Sequence, residues 1–351
     1  MDASRVILTL PRRRAVGGGL AGLAALGLAA CGGTATTGSG EKGNKPPEAF
    51  SLRLSWIKNV EFAGFFMAQE KGYYKDEGID LTVNPTAQNL PEIQAVATKA
   101  DLIGLSGSTS LLKARAQGIP VKAFGAVFQK GPGCYIWLEK SGIKGIKDFK
   151  GKKLGGLQTA RPSTEAILLM NGLKADDVTF VPIGFEVTPL LTGQVDILAG
   201  IVTNQVVLLE QQGEKVGFAP YNDLGFVSYW NTPFALDDTV KNKKDLLAAW
   251  LRASARGWDY ALKNPDAATK IVVEKYGQGL DLSNQTIEMK REIPFIQTDF
   301  TKQKGLLWME RTVWQQAHDA LLEKSKELEQ KVNVDDVMTL DVLTKAGKLT
   351  F

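Results

Sequence analysis

Few side chains in this sequence can do demanding chemistry. The 351 residues include one histidine, His318, and two cysteines, Cys31 and Cys134. That composition argues against imidazole-based catalysis and against metal sites built from His and Cys clusters. No catalytic residue, metal ligand or cofactor is expected. What remains is a set of amides, hydroxyls, carboxylates and aromatic rings at the ends of short elements. The densest group falls in 56–62, where Trp56, Asn59, Glu61 and Phe62 bring an indole, an amide, a carboxylate and a phenyl ring into one loop. Such a set suits a flat polar solute, because rings stack on it while the amide and carboxylate read its edge. Glu61 has a second reading, as a helix-start carboxylate facing the helix dipole.

The elements around that loop give it a place. Leu52, Leu54 and Trp56 alternate with Arg53 and Ser55, the pattern of a strand. Phe62, Phe65, Phe66 and Gln69 follow at helical spacing, and Gly72 stands where a C-terminal cap belongs. Ile79, Leu81 and Val83 alternate again. The result is a parallel βαβ unit with 56–62 at the strand end where ligands collect. A second loop of this kind holds Ser106, Ser108 and Thr109 between a short buried strand and a helix start, where hydroxyls cap and free N–H groups meet an anion or a carbonyl.

Residues 121–128 read as the next strand, and 129–133, beginning with Gln129, break the pattern with Gly and Pro. A second α/β unit follows. Tyr135 lies on its first strand. Arg161 stands at the mouth of a helix opened by Pro162 and Ser163, placed either to meet an anion or carbonyl or to pair with Glu165. Thr203 and Asn204 open another helix, and Tyr229 and Trp230 lie in an extended stretch, 226–233, suited to a second crossing. From 236 the pattern is helical. Stripes such as Leu247, Trp250 and Leu251, and a helix over 306–329 carrying Trp308, Val313 and Trp314, read as core.

The N-terminus reads as an address. Arg12, Arg13 and Arg14 precede an apolar run over 15–30 that ends in small residues before Cys31 and Gly32. Residues 1–30 therefore read as an export signal, with a hydrophobic stretch short for a spanning helix. Its end resembles the bacterial lipobox, which implies that Cys31 begins the mature chain and carries lipid. The arginines also resemble a twin-arginine signal, so the export route stays open. Residues 31–48 are Gly, Thr, Ser, Lys and Pro-rich and form a tether. The net charge of +4 includes four arginines and one aspartate before Cys31, leaving a body near +1. A near-neutral body gives no reason to expect nucleic-acid binding. Cys134, in an apolar strand pattern, reads as a packed thiol.

Several segments together resemble one family. They are the Trp56 loop, the run 69–80 with its Gly72, Tyr73, Tyr74 and Gly78, the strand entry 118–121, Phe149 to Leu154 with its lysines, and 191–196 with Gly193 and Asp196. The resemblance is to the periplasmic solute-binding proteins whose members bind thiamine pyrimidine precursors, riboflavin, aliphatic sulfonates, taurine or nitrate. It covers about residues 50–275 and is specific for family, not for ligand. It implies an α/β, two-lobed periplasmic-binding-protein fold of type II, with two parallel-type sheets, flanking helices and a cleft between lobes. Lobe 1 would be 49–130 plus 232–351 and lobe 2 would be 131–231, with crossings near 129–133 and 228–232.

The resemblance also implies a partner, an ABC importer's permease with its ATPase, and a monomer held by lipid at the outer face of a bacterial membrane. Aromatics with amides and one acid favour a heteroaromatic vitamin or precursor, riboflavin or a thiamine-type pyrimidine. The alternative is an aliphatic sulfonate, taurine or nitrate, which would want Arg and N–H donors and few rings. One branch of the family is a pyrimidine synthase that uses a histidine and a cysteine-rich iron motif. This chain has neither, so the expectation is a binding protein rather than an enzyme.

Overall fold

A computed structural model describes residues 46–87 and 90–349. The expected export signal, Cys31 and most of the tether lie outside the described residues. No helix among the described residues is long and apolar enough to cross a membrane.

The strands are β1 (Glu48–Arg53), β2 (Ile79–Asn84), β3 (Ile103–Ser106), β4 (Val121–Ala123), β5 (Gly133–Leu138), β6 (Lys153–Gly156), β7 (Thr179–Pro182), β8 (Ile197–Ile201), β9 (Val216–Pro220) and β10 (Thr232–Leu236). They form two five-stranded sheets, β2-β1-β3-β10-β4 and β7-β6-β8-β5-β9. In the first, β1 runs parallel to β2 and β3, while β10 is antiparallel to β3 and β4. In the second, β6 runs parallel to β7 and β8, while β5 is antiparallel to β8 and β9. The sheets are thus parallel except for one strand each, and in both that strand is the first to follow a passage from the other sheet. The fold is α/β with two mixed sheets and flanking helices.

The two passages touch. Phe128 and Trp230 exchange backbone hydrogen bonds of 3.1 and 3.3 Å, and the Val127 N–H donates to the Asn231 carbonyl at 3.2 Å. Gly131 fits here because a Cβ would come within 2.9 Å of the Trp230 indole nitrogen. Only 121–123 of the expected 121–128 strand joins the sheet. Beyond it the Phe124 and Ala126 N–H groups donate to Pro233 and Leu307 carbonyls instead.

The larger core covers the first sheet and reaches one face of the second, with Tyr135, Trp137 and Leu154. Trp250 of the Lys244–Lys263 helix packs against Phe50 at 6.0 Å and Phe65 at 5.3 Å between centroids. That helix meets the Ala63–Glu70 helix almost backbone to backbone, since a Cβ on Gly257 would lie 2.1 Å from the Gly64 carbonyl oxygen. The second sheet has a smaller cluster, including Cys134, Ile136, Val195 and Leu198. Near the C-terminus the expected 306–329 helix is shorter. It spans Arg311–Asp319 and continues as one wide turn over Ala320–Lys324. Leu307 has φ +65, so 305–310 runs as a loop and not as a first helical turn.

Candidate functional site

A cavity of about 350 Å³ opens where loops of both sheets converge. Its walls are segments just past the ends of β1, β3, β7 and β8, together with the passage before β10. That is where an α/β sheet presents free backbone groups and helix starts to a ligand. From the first sheet come Trp56, Asn59 and Glu61 after β1, and Ser106 and Thr109 after β3. From the second come Phe185, Thr203 and Asn204, and from the passage Trp230. The predicted Trp56, Asn59, Glu61, Ser106, Thr109, Thr203, Asn204 and Trp230 are therefore brought together.

The others face elsewhere, each for a packing reason. Phe62 is fully buried in the first core, on the inner side of its 3-10 turn. Ser108 starts a helix, but its hydroxyl accepts from the Tyr229 N–H at 3.0 Å. The Tyr229 hydroxyl in turn accepts from the Glu310 N–H at 2.8 Å. Gln129 spends its side-chain amide on the Ala126 and Trp308 carbonyls. Tyr135 points into the sheet layer, packed on Phe149 and Tyr221. Arg161 pairs with Glu165 at 2.7 Å on an exposed surface, over the Phe180 ring. Its helix start turns toward the C-terminal segment, where Ser163 bonds Glu327. Across from the Trp56 loop stands Phe185, which sequence reasoning passed over. The two rings meet edge to face at 6.0 Å, both substantially exposed.

Other lining groups were also missed, and they set the chemistry. Glu92 lines the wall and accepts from the Ser106 hydroxyl at 2.8 Å. Glu288 and Glu292 reach in from the Leu282–Ile296 helix. Asn59 Nδ2 donates to Glu288 at 3.2 Å, Gln285 Nε2 donates to the same carboxylate at 2.6 Å, and the Val60 N–H donates to Gln285 at 3.1 Å. Glu292 is 1% exposed, and its Oε2 has no partner among the described residues. Asn231 Nδ2 donates to Glu61 at 2.9 Å, while its carbonyl accepts from Ser55 at 3.0 Å. Asn231 holds φ +48, a left-handed backbone that Asn tolerates better than most residues.

Burial dominates the acidity of these groups. It raises the Glu61 pKa to about 7 against the lowering pull of the Asn231 bond. It raises Glu288 to about 8, with the Glu61 charge adding and the Gln285 bond opposing. Glu292 is pushed well above the carboxylate range by burial and then by its two acidic neighbours. Glu92 is raised by burial, with the Ser106 bond working the other way. The second-sheet wall is neutral. Gln205 is tied to the Ile201 N–H and the Phe185 carbonyl and so holds the Phe185 loop in place.

The relatives agree with this architecture. A riboflavin-binding protein, RibY, of Chloroflexus aurantiacus is 28% identical over 272 residues, covering 75% of this chain and 77% of that protein. A formylaminopyrimidine-binding protein of Halalkalibacterium halodurans is 23% identical, covering 78% of this chain and 86% of its own length. A 4-amino-5-hydroxymethyl-2-methylpyrimidine phosphate synthase of Schizosaccharomyces pombe is 29% identical over 67% of this chain and 73% of its own. Among solved structures, a periplasmic sulfonate-binding protein of Methylobacillus flagellatus superposes with a TM-score of 0.66 at 17% identity, covering 86% of this chain and 94% of its own, a likeness of fold. The NMT1/THI5-like family matches residues 59–268, more than half of the sequence, and the chain belongs to that family.

Proposed function

We propose that this protein is the solute-binding component of an ABC importer and captures a small heteroaromatic vitamin or vitamin precursor, of the riboflavin or thiamine-pyrimidine kind. The observation that carries the reading is the cavity between the loops of the two sheets. Trp56 and Phe185 supply rings from opposite walls, and amides and carboxylates supply a polar edge. Lobes 49–130 plus 232–351 and 131–231 would close over the solute about the paired passages at Phe128 and Trp230, burying it from water. The names of relatives that bind riboflavin or formylaminopyrimidine point the same way.

The aliphatic sulfonate, taurine or nitrate alternative has fold likeness in its favour. The wall disfavours it, because an anion beside Glu61, Glu92, Glu288 and Glu292 finds acidic groups and no counter-charge, as no Arg or Lys lines the cavity among the described residues. Synthase relatives bring in an enzyme reading. The lining residues offer carboxylates, hydroxyls and amides, without His or Cys among those described, and we read the site as one that binds and releases. The protein would act as a monomer. Cys31 would hold it by lipid to the outer face of the membrane, with residues 31–48 as tether.

Thermal melting tests the reading directly, since a solute bound only by the native state raises the melting temperature. Riboflavin or a thiamine-type pyrimidine should raise it, and no shift with any of them refutes the ligand class. Trp56→Ala should weaken a stacking solute by about 1–3 kcal/mol, on the scale of base stacking on aromatic side chains. Calorimetry that shows unchanged affinity removes Trp56 from the contact.

A further inference from the structure

We infer that the solute carries a positive charge and several N–H donors, and that its charged end sits against Asn59, Glu288 and Glu292. This rests on the solute-binding reading and narrows it. The first ground is the wall's one-sidedness. Every titratable side chain lining the cavity is a carboxylate, among the described residues. The basic residues of the same helix are spent on its outer faces, Lys290 on Asp266 at 2.8 Å and Arg291 on Glu210. On the helix packed beside it, Pro265–Lys275, Lys270 pairs with Glu274 and Lys275 with Glu70.

The second ground is independent of charge. Asn59 is 5% exposed, and its Nδ2 faces Glu288 at 3.2 Å. That leaves Oδ1 as a buried acceptor in the cavity wall with no partner among the described residues. Glu292 Oε2, deeper still, also has none. The donors of Asn59, Gln285 and Asn231 are already given to Glu288 and Glu61. Apart from the protons the carboxyls themselves carry, what the cavity still offers at this end is acceptors, and a buried acceptor left unmatched is costly. A solute with N–H donors and a positive charge satisfies both. A metal ion does not fit as well, since no group of three His, Cys, Asp or Glu among the described residues is placed to hold one.

In the empty protein, burial raises Glu61 to about 7 and Glu288 to about 8 and pushes Glu292 well above the carboxylate range, so this group of carboxyls keeps part of its protons at pH 7. An arriving cation replaces them as the counter-charge, so binding releases protons at pH 7.

The test uses four probes with the whole chain. They are 4-amino-5-aminomethyl-2-methylpyrimidine (cationic), its 5-hydroxymethyl counterpart (neutral), riboflavin (neutral), and benzamidine (a cation without the heterocycle). Calorimetry at pH 7 should show the aminomethyl compound binding about ten- to a hundredfold tighter than the hydroxymethyl one. Glu292→Gln, which keeps shape and removes the ionisable group that would balance the cation, should shrink that ratio to within about threefold. The heat of binding, compared in phosphate and Tris, should show proton release in the native protein and less in the variant. A neutral probe that binds as tightly as the aminomethyl compound overturns the inference and leaves the heterocycle reading intact. Binding by benzamidine together with failure of both pyrimidines and riboflavin supports the positive charge and removes the heterocycle. An unchanged ratio in Glu292→Gln, or no binding by either cation, overturns it.

Discussion

The two sheets are built on one plan and present different chemistry. Each has the same strand order, with one antiparallel strand next to the last, and each opens loops toward the same cavity. The first-sheet side, with the Leu282–Ile296 helix, supplies Asn59 and four carboxylates over a core anchored by Trp250 and Trp258. The second-sheet side supplies Phe185, Ile201, Thr203 and Asn204, with an aliphatic cluster such as Ile136, Val195 and Leu198 on one face of its sheet. Equal topology therefore fixes where loops end and leaves open what they carry. One half is a floor of carboxyl groups, the other a cover without titratable side chains among the described residues.

The largest expected effect probes the anchoring of the floor. Trp250→Ala should cost about 3–5 kcal/mol in urea unfolding, because it empties a fully buried indole site. Ile136→Ala in the cover should cost about 2–4 kcal/mol. A single shared transition in both variants would show that the halves unfold together, and two transitions would split the comparison into separate units.

Next comes pH. Glu61 and Glu288 have folded pKa values raised above their unfolded ones, from 4.5 to about 7 and about 8. The folded state then holds more protons between those limits, so the contribution of these two groups is full below pH 4.5 and falls as pH rises toward 8. Melting of the empty protein should drop by about 3–8 °C from pH 5 to pH 8. Glu288→Gln should flatten that slope, whereas Thr203→Ala on the cover should leave it unchanged.

Smaller still is Tyr229→Phe, which removes the acceptor of the Glu310 N–H and should cost about 1 kcal/mol in thermal unfolding. Smallest is Arg161→Ala. Its pair with Glu165 is exposed, so both stability and solute affinity should move by under about 0.5 kcal/mol. A large affinity loss there would return Arg161 to the cavity and undo the neutral character of the cover.

The Trp56 loop was legible because strand, loop and helix follow each other there with clear spacing, and the polar residues fall in the gap. Tyr135 and Phe62 were drawn in wrongly for a shared reason. A strand covered on both faces and a turn pressed into a core bury their rings whichever way they point, and sequence alternation does not tell cleft from core. Glu288 and Glu292 were invisible for the opposite reason. With Gln285 they fall three and four apart on a helix, which reads as a solvated stripe. Only the packing of that helix against Asn59 and Glu61 turns the stripe inward. Asn231 gave no signal, since its left-handed backbone is a product of the passage in which it sits.

Cys134 gives the cover a built-in clock. Its thiol is fully buried on β5, the strand that receives the chain from the other half, and burial pushes its pKa far up. In a Cys31→Ser chain, a thiol reagent reaches it only when β5 parts from its neighbours. The labelling rate then counts the openings that expose β5, local or global, and a solute that seals the cavity should slow the count as its concentration rises above its Kd.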